Sequence, residues 1–252
     1  MTRSPTVFSP SIRRRDLFAF LVAKATGAAS LLPPPPAETV ILQIRLPRVL
    51  AAAAVGAALA ASGAAYQSLF RNPLVSPDIL GVSAGAAFGA VVGIFLSLPV
   101  LAIEAASFAG GLMAVIIVYG IAVAIRGRDA VLVLVLAGVV IGALFGAGVG
   151  LLKYLADPYN QLPVITFWLL GSLAATNPRD LTSLLPAVMI GLVALALLRW
   201  RIDVMTLGDE EATALGLDTR VLRIVVIAAA TLMTSAAVAA RLPSSQKVMA
   251  GS

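Results

Sequence analysis

A succession of charge-free stretches, each about as long as a bilayer is thick, limits what this chain can fold into. Cutting at charged residues leaves windows at Val49–Phe70, Ile79–Ile103, Ala105–Ile125, Ala130–Leu152, Leu181–Leu198 and Ile224–Ala240. A helix needs roughly 20 apolar residues to cross a hydrocarbon core about 30 Å thick. Runs of this length predict helices, because backbone polar groups in hydrocarbon have to be satisfied within the segment. A seventh, weaker window, Leu17–Leu32, follows Arg13, Arg14 and Arg15 and contains Lys24. No small-residue cleavage site precedes the Pro33–Pro36 run, so this window reads as a retained helix and not a signal peptide. Lys24 then snorkels to an interface or faces the bundle. The expectation is an all-α, polytopic membrane protein with about seven transmembrane helices: one membrane domain over 1–240, then a polar tail over 241–252. Between Ala130–Leu152 and Leu181–Leu198, Pro163–Ala175 is apolar but short, bounded by Asp157, Pro158, Asn160, Pro178 and Asp180. It predicts an interfacial or re-entrant helix with Trp168 near the headgroups.

Composition removes several function classes. The net charge of +6 does not point to nucleic acid, since the basic residues lie between apolar runs and not in a patch interleaved with aromatics. There is no cysteine and no histidine, so thiolate and imidazole metal ligands and a cysteine nucleophile are excluded. No G-x-x-x-x-G-K-[ST] occurs: Lys24, Lys153 and Lys247 follow Ala23, Leu152 and Gln246. Any nucleotide chemistry therefore belongs to another chain, and no catalytic residue, metal or cofactor is assigned here. Mid-span charge is confined to Lys24, with Glu104 at a span boundary. Carriers of bare ions use intramembrane carboxylates or histidines, so the pattern suits a large ligand that hides its own charge.

With the N-terminus inside, the inner segments collect Arg3, Arg13, Arg14, Arg15, Arg71, Arg126, Arg128, Arg199, Arg201, Arg220 and Arg223. The outer ones hold only Arg45, Arg48, Lys153 and Arg179. This asymmetry predicts a cytoplasmic N-terminus.

Two spans carry glycine at every fourth position: Gly81, Gly85, Gly89 and Gly93, then Gly138, Gly142, Gly146 and Gly150. That spacing keeps each ladder on one helical face, where another backbone can approach closely. Two readings stay open for Gly138, Gly142, Gly146 and Gly150, namely helix packing or the lining of a translocation pathway at a subunit interface.

Two polar stretches fall on the inner side. RNPLVSPD, Arg71–Asp78, predicts a turn in which Asp78 caps the next helix. LGDEEATALGLD, Leu207–Asp218, gathers Asp209, Glu210 and Glu211. Thr206 with Asp209 has the spacing of a capping-box variant, the acids fall where a helix dipole favours them, Gly216 can end the helix and Asp218 can cap another. This predicts a knuckle of two short helices.

The stretch RLPRVLAAAAVGAALAASGAAYQSLFRNPLVSPDILGVSAGAAFG, Arg45–Gly89, resembles the FecCD family of ABC transporter permeases. VLAGVVIGALFGA at Val135–Ala147, TFWLLGSLA at Thr166–Ala174 and LGDEEATALGLDTRVLR at Leu207–Arg223 follow in the same order. The resemblance implies the permease subunit of an importer for iron-siderophore, haem or cobalamin in a bacterial cytoplasmic membrane. Implied partners are an ABC ATPase subunit, an extracytoplasmic substrate-binding protein, a second permease copy and the lipid bilayer. It implies that Leu207, Gly208, Asp209, Glu210, Glu211, Ala212, Leu215 and Gly216 form the loop that couples to the ATPase. Glu210 and Glu211 would be its exposed contacts, and Ala212, Ala214 and Leu215 its apolar ones. Arg45 and Arg48 would receive the binding protein. The family fold normally has ten spans, so a truncated or frameshifted copy lacking the last three is expected. The rival reading is a non-transporting remnant or a membrane protein that only binds the ATPase.

Overall fold

The computed structural model describes residues 39–125, 130–173, 176 and 178–239. The Leu17–Leu32 window and the 241–252 tail lie outside them. The described elements are helical: α1 Leu46–Phe70, α2 Val82–Phe95, α3 Val100–Ala124, α4 Ala130–Leu155, α5 Gln161–Leu170, α6 Pro178–Met205, α7 Asp209–Ala214 and α8 Thr219–Ala239, with a π-helical turn at Val40–Arg45 leading into α1. Five of these rods, counting Val40–Phe70 as one, are long and apolar enough to cross a membrane.

Helix ends depart from the charge-free windows where backbone chemistry overrides side-chain polarity. Ile79–Ile103 is not one span. Its helix, α2, has 14 residues, about 21 Å at 1.5 Å per residue. It starts after Gly81 (φ 73), and the chain turns through Ser97 (φ 54) into Pro99. Glu104 consequently sits in the second turn of α3, partly buried, and not at a boundary. At the start of α1, Pro47 lacks an N–H and its ring would clash with the Gln43 carbonyl in a regular helix. The wider π turn relieves this, with the Leu46 N–H donating to the Ile41 carbonyl. Arg45 and Arg48 thus lie on the helical rod, both exposed, rather than just outside it.

α8 is the axis of the described bundle. In its most apolar window 67% of residues are buried, against 28% to 39% in the other four spans. Ser62 donates to the Ala230 carbonyl at 3.2 Å and the Tyr66 hydroxyl meets Thr231 at 3.4 Å, tying α1 to α8 through groups that hydrocarbon would leave unsatisfied. Apolar side chains such as Leu101, Ile116, Leu144 and Leu197 point outward. Water would penalise that distribution and lipid does not.

The α2 ladder is a packing device. A Cβ at Gly85 would collide with the Gly110 carbonyl, one at Gly89 with the Ala106 carbonyl and one at Gly110 with the Gly85 carbonyl. α2 and α3 therefore meet backbone to backbone. The α4 ladder divides. Gly138 faces the Ile79 carbonyl and Gly142 lies near the Gly81 Cα, whereas a Cβ at Gly146 or Gly150 would meet no described atom within 4 Å.

α5 lies against α2, and Trp168 is 4% exposed in a cluster with Ala86, Ala90, Val91, Ile94 and Ile165. This corrects the expectation of a headgroup position: the indole fills the seam beside the short α2. Gln161 donates to the Phe95 carbonyl at 2.8 Å and pins the start of α5 there. Asp157 precedes it, fully exposed, yet its carboxyl is held below the ordinary range, first by the Tyr159 N–H and then by the Asn160 side-chain amide. A depressed folded pKa contributes stability above the unfolded value near pH 4 that is lost as pH falls through the folded one. Thermal melts in detergent should therefore fall more steeply for the wild type than for Asp157→Ala below about pH 4.

Candidate functional site: the acidic knuckle

α6 continues past the last apolar residue of its window through Arg199, Arg201 and Asp203, and stops at Met205. Thr206 does not cap the next helix. Its hydroxyl donates back to the Asp203 carbonyl at 2.6 Å, and the N-cap is Gly208, with φ 146 and ψ 161 and no side-chain cap. A Cβ at Gly208 would strike the Glu211 carboxylate, with the Arg71 guanidinium also within 3.6 Å of it. Glycine suits that position by its conformation, at φ 146, since the exposed Glu211 side chain could swing aside.

α7 follows with Asp209, Glu210 and Glu211 in its first turn, where unpaired N–H groups favour negative charge. It ends as the sequence predicts. Gly216 adopts φ 80, the Gly216 N–H donates to the Thr213 carbonyl at 2.9 Å and the Leu217 N–H to the Ala212 carbonyl at 3.0 Å. This is a Schellman closure. Asp218 then caps α8, accepting from the Val221 N–H at 3.0 Å, so the second short helix expected of the knuckle is instead the first turn of the 21-residue α8.

The three acids do not share a role. Asp209 pairs with Arg223, whose Nη2 lies 3.0 Å from Oδ2 and 3.3 Å from Oδ1. Glu210 and Glu211 are exposed, as are Leu207 (63%) and Leu215 (58%). Ala212 is completely buried; a six-residue helix has an inner face, and Ala212 occupies it. It therefore holds the knuckle to the bundle and offers no outward contact, contrary to the expectation, whereas Ala214 is exposed as expected.

The RNPLVSPD turn forms the neighbouring surface, which the sequence did not connect with the knuckle. Arg71, at φ 50, closes α1 and brings its guanidinium beside Gly208. Gln67 donates to the carbonyls of Pro73 and Val75, Asn72 accepts from the Leu74 N–H, and Asp78, three residues before the Gly81 N-cap, accepts from the Ser83 N–H in the first turn of α2 at 2.7 Å. Val75 and Leu80 plug into the bundle while Leu74 stands outward. Between α6, α8 and the Gly216 turn runs a groove of about 240 Å³, lined by Leu198, Arg201, Leu217, Val221 and Leu222 among others.

The sequence that builds this knuckle and turn is matched by a family model over residues 4–241. The chain belongs to the FecCD transport family. Among its relatives, the molybdate import permease protein MolB of Haemophilus influenzae is 39% identical over 207 residues, 82% of this chain and 60% of that protein. The cobalamin import permease protein BtuC of Halobacterium salinarum is 38% identical over 206 residues, covering 81% and 55%. The hemin transport permease protein HmuU of Yersinia pestis is 37% identical over 206 residues, covering 79% and 60%. The chain thus spans between 55% and 60% of the length of these relatives. A solved structure, described as an inward-facing conformation of a metal-chelate type ABC transporter, superposes with a TM-score of 0.78 at 32% identity over 89% of this chain and 74% of that one. The chain is a multi-pass membrane protein of a permease family, and its relatives are transport subunits and not enzymes.

Proposed function

We propose that this FecCD chain is the membrane-spanning permease subunit of an ABC importer that moves chelated iron, haem or cobalamin across a bacterial cytoplasmic membrane, powered by a separate ATPase. The observation that carries this reading is the knuckle. Among the described residues it presents two carboxylates without an ion-pair partner, Glu210 and Glu211, on a short helix seated against the bundle and flanked by two exposed apolar side chains, Leu207 and Leu215. That is the make-up of a docking element, charged for orientation and apolar for affinity. In this reading the knuckle and the RNPLVSPD turn face the cytoplasm, as does the N-terminus. Arg45 and Arg48, exposed at the other end of α1, receive carboxylates of an extracytoplasmic binding protein. A second permease copy completes the pathway, with Gly146 and Gly150 on the open face of α4. The relative that imports molybdate widens the ligand class to oxyanions, which also arrive without a bare cation.

Reconstitution tests the reading. Proteoliposomes holding the permease and its cognate ATPase are given binding protein loaded in turn with a ferric siderophore, haem, cobalamin or molybdate. Uptake that requires ATP is the expected result. ATPase bound without movement of any of the four ligands would favour the rival, a membrane protein that engages the ATPase but does not transport.

A further inference from the structure

We propose that Arg223 and Asp209 form a strut that fixes the knuckle to α8, so that the two move as one body; this rests on the knuckle being the element an ATPase moves. Asp209 opens α7 and Arg223 lies 14 residues later, just over one turn into α8. One guanidinium nitrogen donates to both carboxylate oxygens. Burial is lopsided, the Arg223 side chain being 13% exposed against 47% for Asp209. The guanidinium is thus largely enclosed, and its Nε is buried without a hydrogen-bond partner. Asp209 is the carboxylate that answers this charge.

The surroundings of α7 show why a strut matters. A six-residue helix is too short to be stable by itself. It is flanked by Gly208 at φ 146 and Gly216 at φ 80, each able to change backbone conformation at little cost. Its one fully buried side chain is a single methyl group, Ala212. Hydrogen bonds of the Gly216 turn hold its end, but they belong to the helix itself and do not fix its direction. An element hinged at both ends would yield to a push instead of passing it on. An ion pair buried on its arginine side and half-exposed on its carboxylate side adds little net stability, but it is directional, and direction is what the two glycines leave free. Asp209 is therefore a positioning residue, set apart from the outward Glu210 and Glu211.

The chain has no cysteine, so spin labels can be placed at Thr213→Cys and Arg220→Cys, both exposed, without background. In the permease–ATPase complex the inter-label distance distribution should be narrow and unchanged when the ATPase binds. Asp209→Asn should broaden it and weaken ATPase binding about tenfold. Arg223→Lys should keep it narrow, and the exchange of Asp209→Arg with Arg223→Asp should restore it. A narrow distribution in Asp209→Asn, or a wild-type distance that shifts on ATPase binding, would overturn the strut. If the wild type does not bind the ATPase, the coupling reading fails, while the label distances of the permease alone still decide whether the pair fixes α7.

Discussion

Reversing both outward acids, as Glu210→Lys with Glu211→Lys, should abolish ATP-dependent uptake while leaving the bundle folded. Both side chains are exposed, so their replacement breaks no buried contact. The internal cost is confined to the helix dipole, about 0.3–1 kcal/mol for each misplaced charge, and to the approach of Glu211 to Gly208. Against a partner built to receive carboxylates, two reversed charges cost several kcal/mol, which is on the order of a hundredfold or more in affinity. Neutral replacement by glutamine should fall between wild type and reversal, because it removes attraction without adding repulsion. Two measurements separate the effects: affinity for the detergent-solubilised ATPase, and the thermal melt of the permease alone. Unimpaired uptake with both acids reversed would refute the coupling role.

What could be read from sequence divides along the line between local and distant causes. Gly216 and Asp218 act on backbone groups two to four residues away, and both do what their residue types predict. Asp78 acts nearly as locally, accepting from the Ser83 N–H five residues on. The pairing of Asp209 with Arg223 spans two elements, and neither residue's neighbours announce it. Thr206 shows that spacing alone misleads even locally, since a threonine ending a long helix can donate to the preceding turn and leave the next cap to glycine. Charge-free windows locate rods because they report solvation, but they do not report φ. They miss the turn at Ser97–Pro99, and they cut α6 short at Arg199 although charged residues continue a helix readily once it leaves hydrocarbon. Trp168 fails for a related reason. A tryptophan on a short apolar helix suits a headgroup zone as well as a protein seam, and the seam is made by residues of other elements distant in sequence.

The two glycine ladders look alike in sequence but differ in what they face. Gly89→Leu should prevent the bundle from assembling. Its first added carbon would already occupy the Ala106 carbonyl, and that obstacle is backbone, so no rotamer change relieves it. Overpacking of a tight core costs about 1–3 kcal/mol where side chains can yield, and here α2 and α3 would have to separate along their length. Gly85→Val and Gly110→Val should behave the same way, since the two glycines interlock through each other's carbonyls. Gly146→Ala and Gly150→Ala should fold normally: their Cβ atoms meet no described atom within 4 Å, and alanine is the better helix former by about 1 kcal/mol. Size-exclusion profiles and melting temperatures in one detergent compare the two sets directly. Wild-type folding of Gly89→Leu would show that α2 and α3 do not pack through this ladder. If Gly146→Ala or Gly150→Ala folds normally yet lowers uptake, the open end of the α4 ladder faces ligand or a second permease copy and not lipid. The methyl group then acts on a surface that becomes crowded only in the assembled transporter.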